Sequence, residues 1–182
     1  MSFNKSVDRY KDYIIEVPDF PIKGVSFKDI SPLLESSHGR VFEEAVTDMG
    51  RLVKNPDYWI GVDARGFLFA SALSMIYGGG VIMCRKKGKL PPPTINHAYK
   101  TEYSSDELSI HPEYVLKGNT IGGGTAVIVD DVLATGGTLQ ATNSLVNKAG
   151  YKVIDNLVLI DLLYLPRVKD FNLEVKSLIQ YE

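Results

Sequence analysis

The chain has 182 residues, 45% hydrophobic, 23% charged and 10% aromatic, which excludes a disordered or fibrous protein and predicts one domain, 1–182, with a real core. Twenty Lys and Arg against twenty-two Asp and Glu leave a net charge of −2, so an overall basic footprint for nucleic acid is absent. A lone cysteine, Cys84, excludes an intrachain disulfide, and strand-sized apolar runs with no signal-peptide layout at the N-terminus predict a cytoplasmic chain with no membrane partner.

Residues 5–16 predict a short polar helix, and 17–35 an irregular stretch punctuated by Pro18, Pro21, Gly24 and Pro32. Val41, Phe42, Ala45, Val46, Met49, Leu52 and Val53 recur at helical spacing, so 40–54 is a helix with one buried stripe. Residues 58–62 form a β-type run ending in Asp63-Ala64-Arg65-Gly66. Residues 67–77 are apolar on nearly every side, as in a helix packed between layers, and Gly78 stops it. Residues 81–84 are a second buried strand, and 86–107 a long polar loop with three consecutive prolines, the length of a lid. Strands at 125–129, 153–163 and 175–181 and a helix at 138–149 complete the pattern. Strands apolar on both faces alternating with helices make an α/β fold, a mainly parallel twisted sheet with helices on both faces. Ligands then sit beyond the carboxyl ends of the strands.

The sharpest feature is the strand end Val127-Ile128-Val129-Asp130-Asp131, followed by Val132-Leu133-Ala134-Thr135-Gly136-Gly137-Thr138 and a helix. Gly136 and Gly137 allow backbone N–H groups to converge on one point. The helix start adds free N–H groups and the positive end of its dipole, and Thr135 and Thr138 add hydroxyls, so the loop suits a phosphate. Two carboxylates beside it would repel that phosphate unless they grip ribose hydroxyls or the water shell of a Mg²⁺ ion. No Gly-Lys-Ser/Thr follows, so it is not a Walker loop. The bland alternative is an Asp-rich strand end with a helix cap at Thr138.

From Ala64 to Thr101 there is no acidic residue, while Arg65, Arg85, Lys86, Lys87, Lys89 and Lys100 make this block +6 and the rest of the chain −8. Arg65 and Arg85 each follow an apolar strand, where an anionic ligand would lie, and arginine suits bidentate phosphate contact. The alternatives are a solvated basic loop or a weak nucleic-acid patch. Glu102 is the first carboxylate after the block and adjoins Tyr103, which suits a lid carrying an acid/base and a ring. Near the N-terminus Phe27 stands in a Pro/Gly-braced loop, able to stack a ring.

These motifs resemble the purine and pyrimidine phosphoribosyltransferase family. The run from Asp130 to Thr138 is similar to its donor-binding motif, and the adenine-specific branch is matched most closely. That branch also shows the Arg85-Lys86-Lys87-Gly88-Lys89-Leu90-Pro91 segment and the hood Phe20-Pro21-Ile22-Lys23-Gly24 with Phe27-Lys28-Asp29-Ile30-Ser31-Pro32. The match runs in register from Phe20 to Thr138 and returns at Gln180-Tyr181-Glu182. The resemblance implies a hood over 1–35, a mobile lid over 86–107, and transfer of the 5-phosphoribosyl group of 5-phosphoribosyl 1-pyrophosphate to adenine. It implies that Asp130 and Asp131 hold the ribose, and Ala134, Thr135, Gly136, Gly137 and Thr138 the 5′-phosphate. Asp63, Ala64, Arg65, Arg85 and Lys89 would meet pyrophosphate, partly across a homodimer interface. Ser26, Phe27 and Lys28 would hold adenine, with Lys28 in place of the family's arginine and Ser104 in place of a lid glycine. Glu102 would manage the purine proton, and Mg²⁺ would be held mainly by substrate, through water to Asp130 and Asp131.

His38, His97 and His111 have no metal-ligand spacing with one another or with Cys84; Met49, Met75 and Cys84 read as core, and Trp59 as core or interface. Two other functions share the donor loop. One is a transferase for hypoxanthine, guanine or orotate. The other is a non-enzymatic donor-sensing regulator that binds nucleic acid, for which the chain shows no extra basic segment.

Overall fold

The computed structural model describes residues 8–36, 40–100, 105–112, 114–116, 119–121 and 123–182. Five strands run parallel through the centre of one sheet: β3 (Tyr58–Val62), β4 (Gly80–Lys86), β9 (Thr125–Leu133), β10 (Lys152–Leu162) and β11 (Lys176–Tyr181). Two antiparallel strands, β5 (Ile95–Lys100) and β6 (Ser105–Ile110), extend it past β4, so the order is β11-β10-β9-β3-β4-β6-β5. Two small hairpins stand apart from it, β1 (Ile15–Val17) with β2 (Phe27–Asp29) and β7 (Tyr114–Leu116) with β8 (Asn119–Ile121).

The alternation of side chains along each strand divides the core into two layers. Val127, Val129 and Trp59 point to the side packed by α1 (Ser31–Glu35), α2 (Val41–Gly50) and α3 (Gly66–Tyr77). Ala126, Ile128, Ile60 and Val62 point to the side packed by α4 (Gly137–Lys148). Strands covered on both faces carry near-continuous apolar runs, which is why 126–129 of β9 and 157–160 of β10 stand out in the sequence. Trp59 is fully buried, and its indole N–H donates to the carbonyl of Gly78 at 2.8 Å. Cys84 is also core, and burial pushes its thiol up to about 12. No helix among the described residues is long and apolar enough to cross a membrane.

Several expectations are corrected. The predicted N-terminal helix is a 3-10 helix at Asp8–Tyr13. The irregular stretch at 17–35 contains β2 and α1, elements too short to leave a periodic signature. Much of the predicted 86–107 loop is the β5–β6 hairpin, whose strands are anchored by Leu108 and Ile110 in the core. That anchoring is tertiary, so the polar residues between hid the strands. Helix α3 is not enclosed: Leu68 and Ile76 are exposed and Met75 is 88% exposed, contrary to its expected core position. Strand β4 likewise leaves Val81 and Met83 exposed.

Candidate functional site

The carboxyl ends of β3, β4 and β9 and the β1–β2 hairpin enclose a cleft of about 400 Å³. Asp63, Ala64, Arg65, Asp130, Asp131, Ala134, Thr138, Ser26, Phe27 and Lys28 all line it. A second, smaller cavity of about 120 Å³ continues along the loop from Ala134 to Thr138. Residues more than a hundred positions apart thus face one space, because parallel strands place all their carboxyl-end loops on one edge of the sheet.

Strand β9 carries Asp130 and Asp131 to opposite faces of that edge. Asp131 is buried, 5% exposed, while the Asp131 N–H donates to Asp130 Oδ1 at 2.9 Å. Burial pushes both carboxyl groups above the ordinary range, Asp130 the further because the Asp131 charge adds to it. Arg65 opposes the rise at Asp131. Its Nε lies 2.7 Å from Asp131 Oδ2 but off the N–H line, so that buried oxygen accepts no hydrogen bond from the described residues. With Arg65 moved aside, this unsatisfied acceptor would suit a hydroxyl or a metal-bound water.

Arg65 itself spans the site: its guanidinium also lies 5.0 Å from the centroid of the Phe27 ring. Its placement depends on Gly66, the first residue of α3. A Cβ there would lie 2.6 Å from the Val129 carbonyl oxygen, so only glycine lets α3 start against β9. Asp63 accepts from Arg85 Nε at 3.3 Å and from the Lys86 N–H at 3.4 Å. Arg85 also donates to the Lys89 carbonyl, while the exposed Lys89 side chain is not among the groups lining the cleft; Lys86 is. Lys87 is paired with Glu107 at 2.7 Å.

The loop after β9 turns through Gly136, at φ +87°, into α4. The helix begins at Gly137, so Thr138 lies in its first turn rather than at a cap, and no side chain caps it. Its first N–H groups therefore remain open to a ligand. Tyr99 of β5 reaches the same turn, its hydroxyl 3.4 Å from Thr138 Oγ1. Tyr99 was passed over in the sequence because its approach depends on the hairpin.

On the opposite wall Ser26 and Lys28 both engage Glu16 of β1, Ser26 through its hydroxyl and Lys28 through an ion pair at 2.9 Å. Lys28 is 5% exposed, with its ammonium 4.4 Å from the Tyr181 ring centroid. Glu16 carries no motif; only the β1–β2 register, which sets it opposite Lys28, shows its part. Glu102, Tyr103, Ser104 and His38 lie outside the described residues. Among the described residues no group of three or more His, Cys, Asp or Glu side chains is gathered to hold a metal alone.

Residues 38–176 match the model of the phosphoribosyl transferase domain. The adenine phosphoribosyltransferase of Mycoplasma mobile is 43% identical over 175 residues, covering 96% of this chain and 98% of that protein. That of Thermotoga maritima is 41% identical over 174 residues, covering 94% and 96%. The crystal structure of adenine phosphoribosyltransferase from Thermoanaerobacter pseudethanolicus superposes with a TM-score of 0.83 at 36% identity, covering 96% of this chain and 99% of that one. The Saccharomyces cerevisiae enzyme, in a complex containing adenine, superposes with a TM-score of 0.79 at 28% identity, covering 96% and 99%.

Proposed function

The chain belongs to the phosphoribosyltransferase family, among its adenine phosphoribosyltransferases, and from that premise we infer how its cleft transfers the 5-phosphoribosyl group of 5-phosphoribosyl 1-pyrophosphate to adenine, giving AMP and pyrophosphate. The observation that carries this is one cleft joining an aromatic wall, two adjacent carboxyl groups, one buried and one half-buried, and an uncapped helix start. A ring, a polyol and a phosphate would be read in that order along it.

Adenine stacks on Phe27. Asp130 and Asp131 hold the ribose hydroxyls and favour the positive charge that builds on the ring as its bond to pyrophosphate breaks. The loop from Ala134 to Thr138 anchors the 5′-phosphate, away from the breaking bond, where binding energy orients the reacting centres. Asp63 aims Arg85, which with Arg65 and Lys89 meets the departing pyrophosphate across the lid. Arg65 exchanges its contact with Asp131 for one with the leaving group. Glu102, beside Tyr103, takes the purine proton. Two carboxylates without further ligands match Mg²⁺, which keeps several waters and binds through substrate phosphates. Asp130 and Asp131 would hold it through water, and when bound it supplies positive charge to the leaving group.

A panel of bases tests this. Incubation with the donor, Mg²⁺ and adenine, hypoxanthine, guanine or orotate is expected to give AMP alone. Product from another base would overturn the role of the Phe27 wall. No product from any base would overturn the transfer itself.

The exposed apolar side chains point to a homodimer. Leu68, Met75 and Ile76 share one face of α3, and Val81 and Met83 one face of β4. A second copy covering them would bring two basic loops together near the interface. Met75→Glu is expected to leave a monomer in sedimentation velocity, where the unsubstituted chain sediments as a dimer. Unsubstituted chain that runs as a monomer at tens of micromolar would remove the dimer.

A further inference from the structure

The segment joining β10 to β11 is given no role in the chemistry above, yet it is bonded to the backbone of the phosphate loop, and its Val168 lines the smaller cavity beside that loop. The Val168 N–H donates to the Thr135 carbonyl at 2.8 Å. Arg167 donates through Nη1 to the carbonyl of Ala134 and, at 3.2 Å, to that of Leu162, and through Nη2 to the carboxylate of Asp161. Asp161 is buried, and it stands beside Leu133 in the pairing of β10 with β9. The Phe171 ring packs so closely on Gly136 that a Cβ there would meet it at 2.5 Å, and the Arg167 guanidinium lies 6.0 Å from that ring's centroid.

We propose that Arg167 is a positioning residue for the phosphate loop: by holding the Ala134 carbonyl back, it turns the loop's N–H groups toward the 5′-phosphate. In a trans peptide the C=O and the N–H point in opposite directions, and the peptides following Ala134 and Thr135 are trans. With the Ala134 oxygen held on Arg167, the Thr135 N–H faces the other way. With the Thr135 oxygen held on Val168, the Gly136 N–H does the same. Released, either carbonyl could rotate toward the ligand and present a partial negative charge to the phosphate.

Only arginine fits this task. Its planar fork reaches two carbonyls and a carboxylate at once, whereas a lysine ammonium lacks the fixed geometry. Asp161 neutralises the guanidinium, so Arg167 acts through the shape of the loop more than through added charge. The sequence carried a faint sign of this, a lone arginine following the longest apolar strand, but nothing in it says which loop that arginine meets.

The proposal rests on the loop being the 5′-phosphate site, and the experiment separates the two. Arg167→Met and Arg167→Lys are compared with the unsubstituted chain by steady-state kinetics, and by calorimetric titration with ribose 5-phosphate and, separately, with pyrophosphate and Mg²⁺. Arg167→Met is expected to raise the KM for the donor and the Kd for ribose 5-phosphate about 10-fold, the size of one lost charge-assisted hydrogen bond. The KM for adenine and the Kd for pyrophosphate should stay within about twofold. Arg167→Lys should fall between, and it decides the matter by the same split if the methionine variant does not fold. Equal weakening of every ligand, or a lowered Tm with ribose 5-phosphate binding unchanged, would overturn the proposal and leave Arg167 a structural residue. Unsubstituted chain that forms no AMP would overturn the functional reading itself, and the proposal with it.

Discussion

Replacing Asp131 by asparagine is expected to lower kcat/KM for the phosphoribosyl donor by about 100-fold, the scale of one lost preorganised electrostatic contact. Asparagine keeps the size of the side chain and removes its charge. Two consequences follow in the cleft. The buried oxygen beside Arg65 becomes a weaker acceptor for a ribose hydroxyl. Arg65, which stands 2.7 Å from it, loses the partner that sets its resting position between Asp131 and Phe27. The fold should tolerate the change, because burial already disfavours the charged form of this carboxyl group. Steady-state kinetics with donor varied at saturating adenine reads the loss, and a thermal melt shows that the variant is folded. An unchanged kcat/KM in a folded variant would remove Asp131 from the site.

Gly66→Ala should have the largest effect on the structure of the site. The added methyl would meet the Val129 carbonyl oxygen at 2.6 Å and Asp130 Cα at 3.3 Å. Both atoms belong to β9, in the middle of the sheet, with β3 and β10 on either side, so the strand cannot give way. The start of α3 must lift instead, and it carries Arg65 away from both Asp131 and Phe27. Overpacking of this kind costs about 2–3 kcal/mol. For a chain of this length the Tm should fall by roughly 5–10 °C. The kcat/KM for the donor should fall at least about 10-fold, since the cation for the leaving group is displaced. A Tm within about 2 °C of the unsubstituted chain would show that α3 can shift freely, and that the glycine does not set the position of Arg65.

Both predictions concern residues that stand out in the sequence. The run Asp130 to Thr138 and the Asp63-Ala64-Arg65-Gly66 turn are legible because each packs a complete local device into consecutive residues. A buried strand, a glycine turn and a helix start follow one another with nothing between. The α/β class was legible for a related reason. Strands covered on both faces carry near-continuous apolar runs, and 126–129 of β9 and 157–160 of β10 show this without help from distant residues.

Local order decided the loop; topology decided its company. No local pattern says that Phe27, Arg65 and Asp131 share one cleft; the family resemblance implies it, and strand order brings it about. Glu16 carries no motif, and its tie to Ser26 and Lys28 exists only through the register of β1 with β2. The β5–β6 hairpin looked like a loop because its two buried anchors, Leu108 and Ile110, gain their partners from α4 and the central strands. Met75 looked like core because apolarity reports what a residue avoids and not which surface covers it; the fold leaves it facing outward. Arg167 is the sharpest case. Its three acceptors come from Ala134, Leu162 and Asp161, two of them at the end of the strand that precedes it and one in the loop that follows the neighbouring strand. Sequence by itself determined the fold class and the chemistry of the donor loop, since both are written in adjacent residues. The tertiary structure alone decided which side chains line one cleft and which contact the loop from elsewhere, since a hydrogen bond acts over about 3 Å and takes no account of distance along the chain.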